Sequence, residues 1–254
     1  MLIRPNTLFV GQQLIWLPSC PSTNSEAQAL IVQNRASEGC TVITDAQTAG
    51  RGQRGNTWEA APGENLTLSV VLQPTFLAAP VQFALSQAVA LTVHDWASTL
   101  LGEAATPALR LKWPNDLYFN DQKLGGILIE NTLGGSKIQH SIVGMGLNVN
   151  QQQFDVMTAT SLAQLTGRRY QLPTVAALLL ECLERRYLQL RSGQVGALRQ
   201  AYLRVLYRHQ EVHPFEVAGR VVPGQIVGVD DDGRLAVEIA GELRRFGMQE
   251  IRYR

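Results

Sequence analysis

The hydrophobic pattern changes its period at about residue 208, and this limits the possible folds more than any other feature of the chain. Before that point, segments of helical period alternate with short β-like runs. Thr23-x-x-Glu26 predicts a capping box that opens a helix with Ala27, Leu30 and Ile31 on one face. Cys40 to Thr44 is a buried-strand pattern, and Leu66 to Gln73 alternates well enough for another strand. From Gln82, the residues Leu85, Val89, Val93, Trp96 and Leu100 keep a helical period until Gly102 stops it. Leu109 to Lys112, Leu124 to Glu130 and Ile138 to Val149 predict three more strands. A long helix is expected to begin at Leu172-Pro173-Thr174, with Thr174 as its cap and Leu179, Leu183, Tyr187 and Leu190 facing inward. Ser192-Gly193 breaks it, and a second helix is expected to run to about Tyr207. Beyond that, only short β-like runs remain, at Gln225 to Val229, Leu235 to Ile239 and Glu242 to Phe246, with tight-turn residues between them. The expectation is an α+β chain: a mixed β-sheet flanked by helices over 1–208, then a small SH3-like β-barrel over 209–254.

Composition removes several functions. With 45% hydrophobic residues and a net charge of +1, the 254-residue chain is neither disordered nor equipped with a field for duplex nucleic acid, so DNA is not an expected partner. The three cysteines, Cys20, Cys40 and Cys182, build neither a disulfide framework nor a metal pair, and small core residues in a reducing compartment are the expected reading. His94, His140, His209 and His213 lack zinc-type spacing. Met1 to Pro5 starts no signal sequence, and the longest apolar stretches, such as Val175 to Leu180, fall short of the roughly 18 residues of a membrane span. A soluble, cytoplasmic protein is expected.

Three segments carry chemistry. The first, Gln47 to Trp58, holds Gly50-Arg51-Gly52-Gln53-Arg54-Gly55. Its glycines let backbone amides approach an anion, its arginines offer planar forks to phosphate, and Trp58 can wall an apolar pocket or stack on a base. Its spacing matches neither a dinucleotide fingerprint nor a phosphate-binding P-loop, so a basic surface loop is the competing reading. The second runs Lys112-Trp113-Pro114-Asn115-Asp116 and then Lys123-Leu124-Gly125-Gly126-Ile127-Leu128-Ile129-Glu130, with no role given to Glu130. A turn here puts cation and carboxylate on one rim. Lys112 can then neutralise a transferring phosphoryl group, and Asp116 can hold a magnesium ion or accept a proton. The glycine pair allows close approach of a small ligand; an ordinary hairpin is the alternative. In the third, Val143-Gly144-Met145-Gly146-Leu147-Asn148, glycines within a strand mark a bulge or a pressed ligand, and Asn148 offers both donor and acceptor.

Taken in this order, Ser22-Thr23-Asn24, the Gly50–Gly55 loop, Lys112 to Asp116, Lys123-Leu-x-Gly-Ile and Gly144-x-Gly-x-Asn148 resemble the biotin protein ligase family. The likeness is strong from about Leu17 to Asn150 and weaker through the β appendage. It implies a class II synthetase-like core that converts biotin and Mg-ATP into biotinyl-5′-AMP. The biotinyl group then passes to a lysine of a biotin carboxyl carrier protein. It also implies that Ser22, Thr23, Asn24 and Gln47 contact the ureido end of biotin, while the glycine loop closes over the adenylate with Arg51 and Arg54 near phosphate. Lys112 and Lys123 would face the reacting groups, with Arg51 and Asp116 assisting. Asn148 would lie by the nucleotide, Asn115, Gly125, Gly126 and Gly146 join the expected binding set, and apart from the resemblance Arg254 is expected to reach the nucleotide from the appendage. The family's loop most often carries arginine where this chain has Gln53, which implies a weaker grip on the adenylate.

The nearest rival, a lipoate protein ligase, shares this core and chemistry, but the Lys-Trp-Pro-Asn-Asp and Gly-Arg-Gly segments favour biotin. A non-catalytic biotin sensor or repressor would want a DNA-reading helix pair before Ser22, where only about twenty residues stand. An RNA-binding module is disfavoured by the charge balance. A monomer and a homodimer are both compatible with the sequence.

Overall fold

The computed structural model describes residues 4–254; Met1 to Ile3, on which part of the signal-sequence expectation rested, lie outside it. Seven strands form the first sheet: β1 (Leu14–Leu17), β2 (Thr41–Thr44), β3 (Leu66–Leu72), β4 (Leu109–Lys112), β5 (Asp116–Phe119), β6 (Gln122–Gly134) and β7 (Lys137–Leu147). Their spatial order is β1-β2-β3-β7-β6-β5-β4, with β1 and β2 parallel and the other neighbours antiparallel. Five helices accompany it: α1 (Thr23–Val32), α2 (Phe83–Leu101), α3 (Leu162–Thr166), α4 (Leu172–Arg191) and α5 (Val195–Arg204). The second sheet holds β8 (Val212–Val217), β9 (Arg220–Val229), β10 (Leu235–Ile239), β11 (Glu242–Phe246) and β12 (Ile251–Tyr253). It is wholly antiparallel in the order β11-β10-β9-β8-β12 and fits a small SH3-like domain. No helix among the described residues is long and apolar enough to cross a membrane.

Strand alternation sorts the first sheet into two faces. On β3, Leu66, Leu68, Val70 and Leu72 join Val143, Met145 and Leu147 of β7 in the main core, under α2 and α4. Trp96 on α2 is wholly buried there and donates its indole N–H to the Val175 carbonyl of α4 at 2.8 Å. The opposite face carries Thr67, Ser69 and Val71 on β3 and Ile142, Gly144 and Gly146 on β7. There α1 covers Val71 and Ile142, packing Ala27 with Cys40 and Val42, and its first residues reach Ser69 and Gly144. Thr67, Gly144 and Gly146 on that face line the floor of the cleft described below.

The second sheet shares the main core, since Phe215 and Ile226 are buried in the same cluster as Leu111 and Leu206. Backbone bonds from Gln210 to Ile226 (2.9 Å) and from Tyr207 to Leu111 (2.9 Å) fix the junction.

Three expectations are corrected. No side chain caps α1: Ser22 occupies the N-cap position with extended backbone (φ −160°), and Thr23 turns its hydroxyl toward the sheet instead. Thr174 lies inside α4, which starts at Leu172 after Gln171; the fixed φ of Pro173 suits the first turn, where no intrahelical N–H bond is lost. The second helix, α5, stops at Arg204 rather than near Tyr207, because residues 205–207 leave the helix to pair with β4. Strands β1 and β5 and the short helix α3 were not foreseen; each is only four or five residues long and shows no period of its own.

Candidate active site

Register places one line of residues across five strands: Thr67 on β3, Gly146 on β7, Gly126 on β6, Asp116 on β5 and Lys112 on β4. A second line, Ser69–Gly144–Leu128, lies one pleat away. Glycine recurs where these lines cross β7, so the middle of the floor projects no side chains of its own. The cleft above it encloses about 370 Å³, within the range of small-molecule sites.

One end is polar. The N-terminus of α1 directs Thr23 and Asn24 onto β3, where Ser69 Oγ lies 2.7 Å from Thr23 Oγ1 and 2.5 Å from Asn24 Oδ1. Gln47 Oε1 accepts the Thr23 backbone N–H at 2.8 Å. Asn24 donates to Glu130 Oε2 at 2.6 Å, and Arg51 Nη2 donates to the same oxygen at 3.1 Å. Ser22, Thr23, Asn24 and Ser69 are all buried, so this network fixes donors and acceptors before any ligand arrives.

The glycines of β7 have a definite reason. A Cβ at Gly144 would stand 2.4 Å from Asn24 Oδ1, and one at Gly146 would stand 2.4 Å from Trp58 Cε2. The strand carries no bulge here; bare backbone admits the Asn24 amide and the Trp58 indole. The indole Nε1 of Trp58 is buried without a hydrogen-bond partner among the described residues.

The other end is cationic. β4 and β5 form a hairpin through Trp113, Pro114 and Asn115, which pairs Lys112 with Asp116 in register. Asn115 stitches this turn to β6, donating to the Ile127 carbonyl at 2.6 Å. Lys123 Nζ and Asp116 Oδ1 form an ion pair at 2.7 Å, and Lys123 Nζ lies 5.7 Å from the centre of the Trp58 ring. A Cβ at Gly126 would press on this pair at 3.3–3.4 Å. Lys112 has no carboxylate contact of this kind. Its Nζ lies over Tyr118 and donates to the Tyr118 hydroxyl at 3.2 Å. Burial holds the Lys112 ammonium below the ordinary lysine range; Asp116 and Asp121 oppose this, while Arg208 and Lys123 add to it.

Of the residues singled out from the sequence, Ser22, Thr23, Asn24, Gln47, Arg51, Gly52, Gln53, Trp58, Lys112, Asn115, Asp116, Lys123, Gly126 and Gly146 line this one cleft. The side chain of Arg54 lies outside the described residues. Gly50 backs onto the Trp58 carbonyl, Gly55 adopts positive φ in open space, and Gly125 packs against Leu147. Asn148 is buried beside the cleft and donates to the Thr160 carbonyl at 2.9 Å, bracing the loop before α3. Arg254 pairs with Glu216 within the second sheet. None of these last five residues is among those lining the cleft.

Sequence reasoning missed Ser69, Glu130 and Tyr253. Ser69 and Glu130 were hidden in strand patterns, though strict alternation on β3 and β6 would have put both on the glycine face. Nothing in the chain signals that Tyr253 lines a cleft formed by residues more than a hundred positions earlier.

A protein-family model described as the biotin/lipoate A/B protein ligase family matches residues 16–148. The bifunctional ligase/repressor of Bacillus subtilis is 32% identical over 254 residues, covering 96% of this chain and 75% of that protein. The biotin–[acetyl-CoA-carboxylase] ligase of Mycobacterium tuberculosis is 32% identical over 232 residues, covering 91% of this chain and 85% of the relative. Among solved structures, the biotin protein ligase from Aquifex aeolicus in complex with biotin and ATP superimposes with a TM-score of 0.77 at 24% identity, over 96% of this chain and 100% of that one. At that identity the likeness is one of fold.

Proposed function

The chain belongs to the biotin/lipoate A/B protein ligase family, and from that membership we propose that it activates biotin with ATP as biotinyl-5′-AMP and transfers the biotinyl group to a lysine of a biotin carboxyl carrier protein. The observation that carries this reading is the glycine strip of β7, walled by Asn24 and Trp58, between a preset polar network at Thr23, Asn24 and Ser69 and the two lysines 112 and 123. Such a strip suits a ligand with a hydrogen-bonding head, an apolar body and an anionic tail.

In the first step a carboxylate oxygen of biotin attacks the α-phosphorus of ATP. The new bond makes a mixed anhydride, and pyrophosphate leaves with the electrons of the broken P–O bond. Two anionic substrates must meet, and Lys112 and Lys123 reduce their repulsion as charge gathers on the phosphoryl oxygens. Arg51, already near the polar end, is free to exchange Glu130 for phosphate when the glycine loop closes, which would also keep water off the anhydride. In the second step the neutral amine of the carrier lysine attacks the acyl carbon. AMP departs, and the amine's proton passes to a base, a role open to Asp116.

Mg²⁺ belongs to this proposal. Among the described residues no group of three or more His, Cys, Asp or Glu side chains could hold a metal. The ion would therefore arrive with the triphosphate and find one carboxylate, Asp116, a usual arrangement for magnesium. It would supply charge neutralisation. A net charge of +1 supports a protein partner rather than DNA, and the three buried, unbridged cysteines support a cytoplasmic setting.

The test is direct. Incubation with biotin, ATP, magnesium and a biotin-carrier domain should raise the carrier's mass by one biotinyl group. No increase, or an increase with lipoate in place of biotin, refutes the reading.

A further inference from the structure

Lys112 and Lys123 are prepared in different ways. Lys123 is ion-paired with Asp116, whereas the Lys112 ammonium is surrounded by aromatic faces: its Nζ lies 4.4 Å from the ring centre of Tyr118, 4.9 Å from that of Tyr253 and 5.7 Å from that of Tyr207. All three distances fall within the roughly 6 Å at which a ring quadrupole attracts a cation. We propose that these tyrosines form a cage that aims Lys112 at the reacting phosphoryl group, and that the second sheet completes the active cleft by supplying Tyr253 as a positioning residue. The proposal rests on the role given to Lys112 above.

The cage is braced from every side. Tyr118 and Tyr207 stand 5.7 Å apart, Tyr207 and Tyr253 5.9 Å, and Tyr253 and Phe215 5.4 Å, so the rings hold one another. They come from three separate places: β5, the segment after α5, and β12. Tyr207 bonds the Asp121 carboxylate, and the Arg208 guanidinium lies 4.9 Å from its ring centre. Strand β12 has only three residues, yet it is anchored beyond its ladder to β8. Arg208 donates to the Arg254 carbonyl at 2.9 Å, Arg254 pairs with Glu216, and the Arg254 N–H bonds the Pro214 carbonyl at 3.2 Å. Arg254 therefore serves the site at one remove, by fixing the residue before it.

The charges facing Lys112 oppose one another. Asp116 and Asp121 favour the ammonium, while Lys123 and Arg208 disfavour it. Burial disfavours it more than any of these, and the rings, together with the Tyr118 hydroxyl that accepts from Nζ at 3.2 Å, act in its favour. Burial raises all three phenols, Tyr118 to about 12, so the faces stay neutral across the working range. The Tyr253 hydroxyl is buried and has no hydrogen-bond partner among the described residues, which points to the ring rather than the oxygen as the reason for this residue. A cation held by rings is oriented but not neutralised, and it keeps its whole charge for the phosphoryl oxygens.

The experiment is single-turnover formation of biotinyl-AMP by the full chain, without carrier, from neutral to alkaline pH. Tyr253→Phe keeps the face and should match wild type. Tyr253→Leu should slow the step by roughly three- to thirtyfold and move the alkaline limb to lower pH, with the KM for biotin little changed. Fluorinated phenylalanines at position 253 weaken the quadrupole while preserving shape, so they read the effect even if Tyr253→Leu folds poorly; the rate should fall with each added fluorine. A rate and alkaline limb indifferent to fluorination, or a Tyr253→Phe variant as slow as Tyr253→Leu, overturns the proposal. Lys112→Ala separates the two readings. If it forms adenylate at the wild-type rate, the role of Lys112 itself fails; if it is inactive while fluorination changes nothing, only the cage fails.

Discussion

Replacing Gly146 with alanine tests the architecture of the cleft floor with a single methyl group. The new Cβ would stand 2.4 Å from Cε2, 2.6 Å from Cζ2 and 2.8 Å from Nε1 of Trp58. Ordinary carbon contacts are about 3.5–4.0 Å, so the overlap is on the order of 1 Å and falls on a rigid bicyclic ring. Gly146 sits between β3 and β6 in the sheet and cannot retreat, so the indole must move or be strained. Overpacking of this kind costs about 1–3 kcal/mol. If Trp58 stays, that cost appears as lost stability, a fall in Tm of about 2–4 °C per kcal/mol for a chain of this size. If Trp58 swings away, the folded state is spared, and a ligand that needs the indole must push it back, weakening binding by about five- to 150-fold. Urea unfolding and calorimetric titration with biotin and ATP read the two outcomes side by side. In a Trp58→Ala background the same alanine should cost less than about 0.5 kcal/mol, because its obstacle is gone. Wild-type stability together with wild-type affinity in Gly146→Ala would refute the reasoning, as would a penalty that persists undiminished without the indole.

Asp116→Asn removes the negative partner of Lys123 and should slow adenylation and raise the magnesium needed for half-maximal rate, with biotin affinity unchanged; unaltered rates in both adenylation and transfer would discard the role of Asp116. Gln53 lines the cleft on the glycine loop, and Gln53→Arg should slow the release of biotinyl-AMP by adding a further fork for its phosphate beside Arg51 and Arg54, so equal dissociation rates in the two proteins would rule this out. His94 is held below the ordinary imidazole range by burial, with Arg110 and Arg186 assisting and Asp95 and a Leu109 backbone bond opposing. The unfolded chain therefore takes up this proton first: the stabilisation is whole above pH of about 6.5 and is lost as pH falls toward the folded pKa. Urea midpoints should decline less steeply on acidification in His94→Gln than in wild type, and parallel curves would contradict the assignment.

Long elements with a clear period were legible from sequence. Helix α2 appeared between Gln82 and Gly102 because its buried positions recur at helical spacing and a glycine ends it. The α+β class and the change of character near residue 208 followed from the same kind of count. The short strands β1 and β5 were not legible, since four residues cannot establish an alternation. The missing cap on α1 was not legible either: Thr23 satisfies the local rule for a capping residue, but Gln47 and Ser69 claim its hydroxyl.

The site divides along the same physical line. Sequence alone singled out the glycine, arginine and lysine segments, and most of the residues picked from them line one cleft. It also made these segments resemble one enzyme family. Only the tertiary structure decided what each does to its neighbours. The glycines of β7 make room for Asn24 and Trp58, Glu130 joins the polar end to the arginine loop, Asn148 braces the loop before α3, and Arg254 pairs with Glu216 within the second sheet. The three tyrosines around Lys112 lie at positions 118, 207 and 253, spaced by no local rule. Contacts so distant along the chain arise from the docking of one sheet against another, and no window of neighbouring residues encodes that docking.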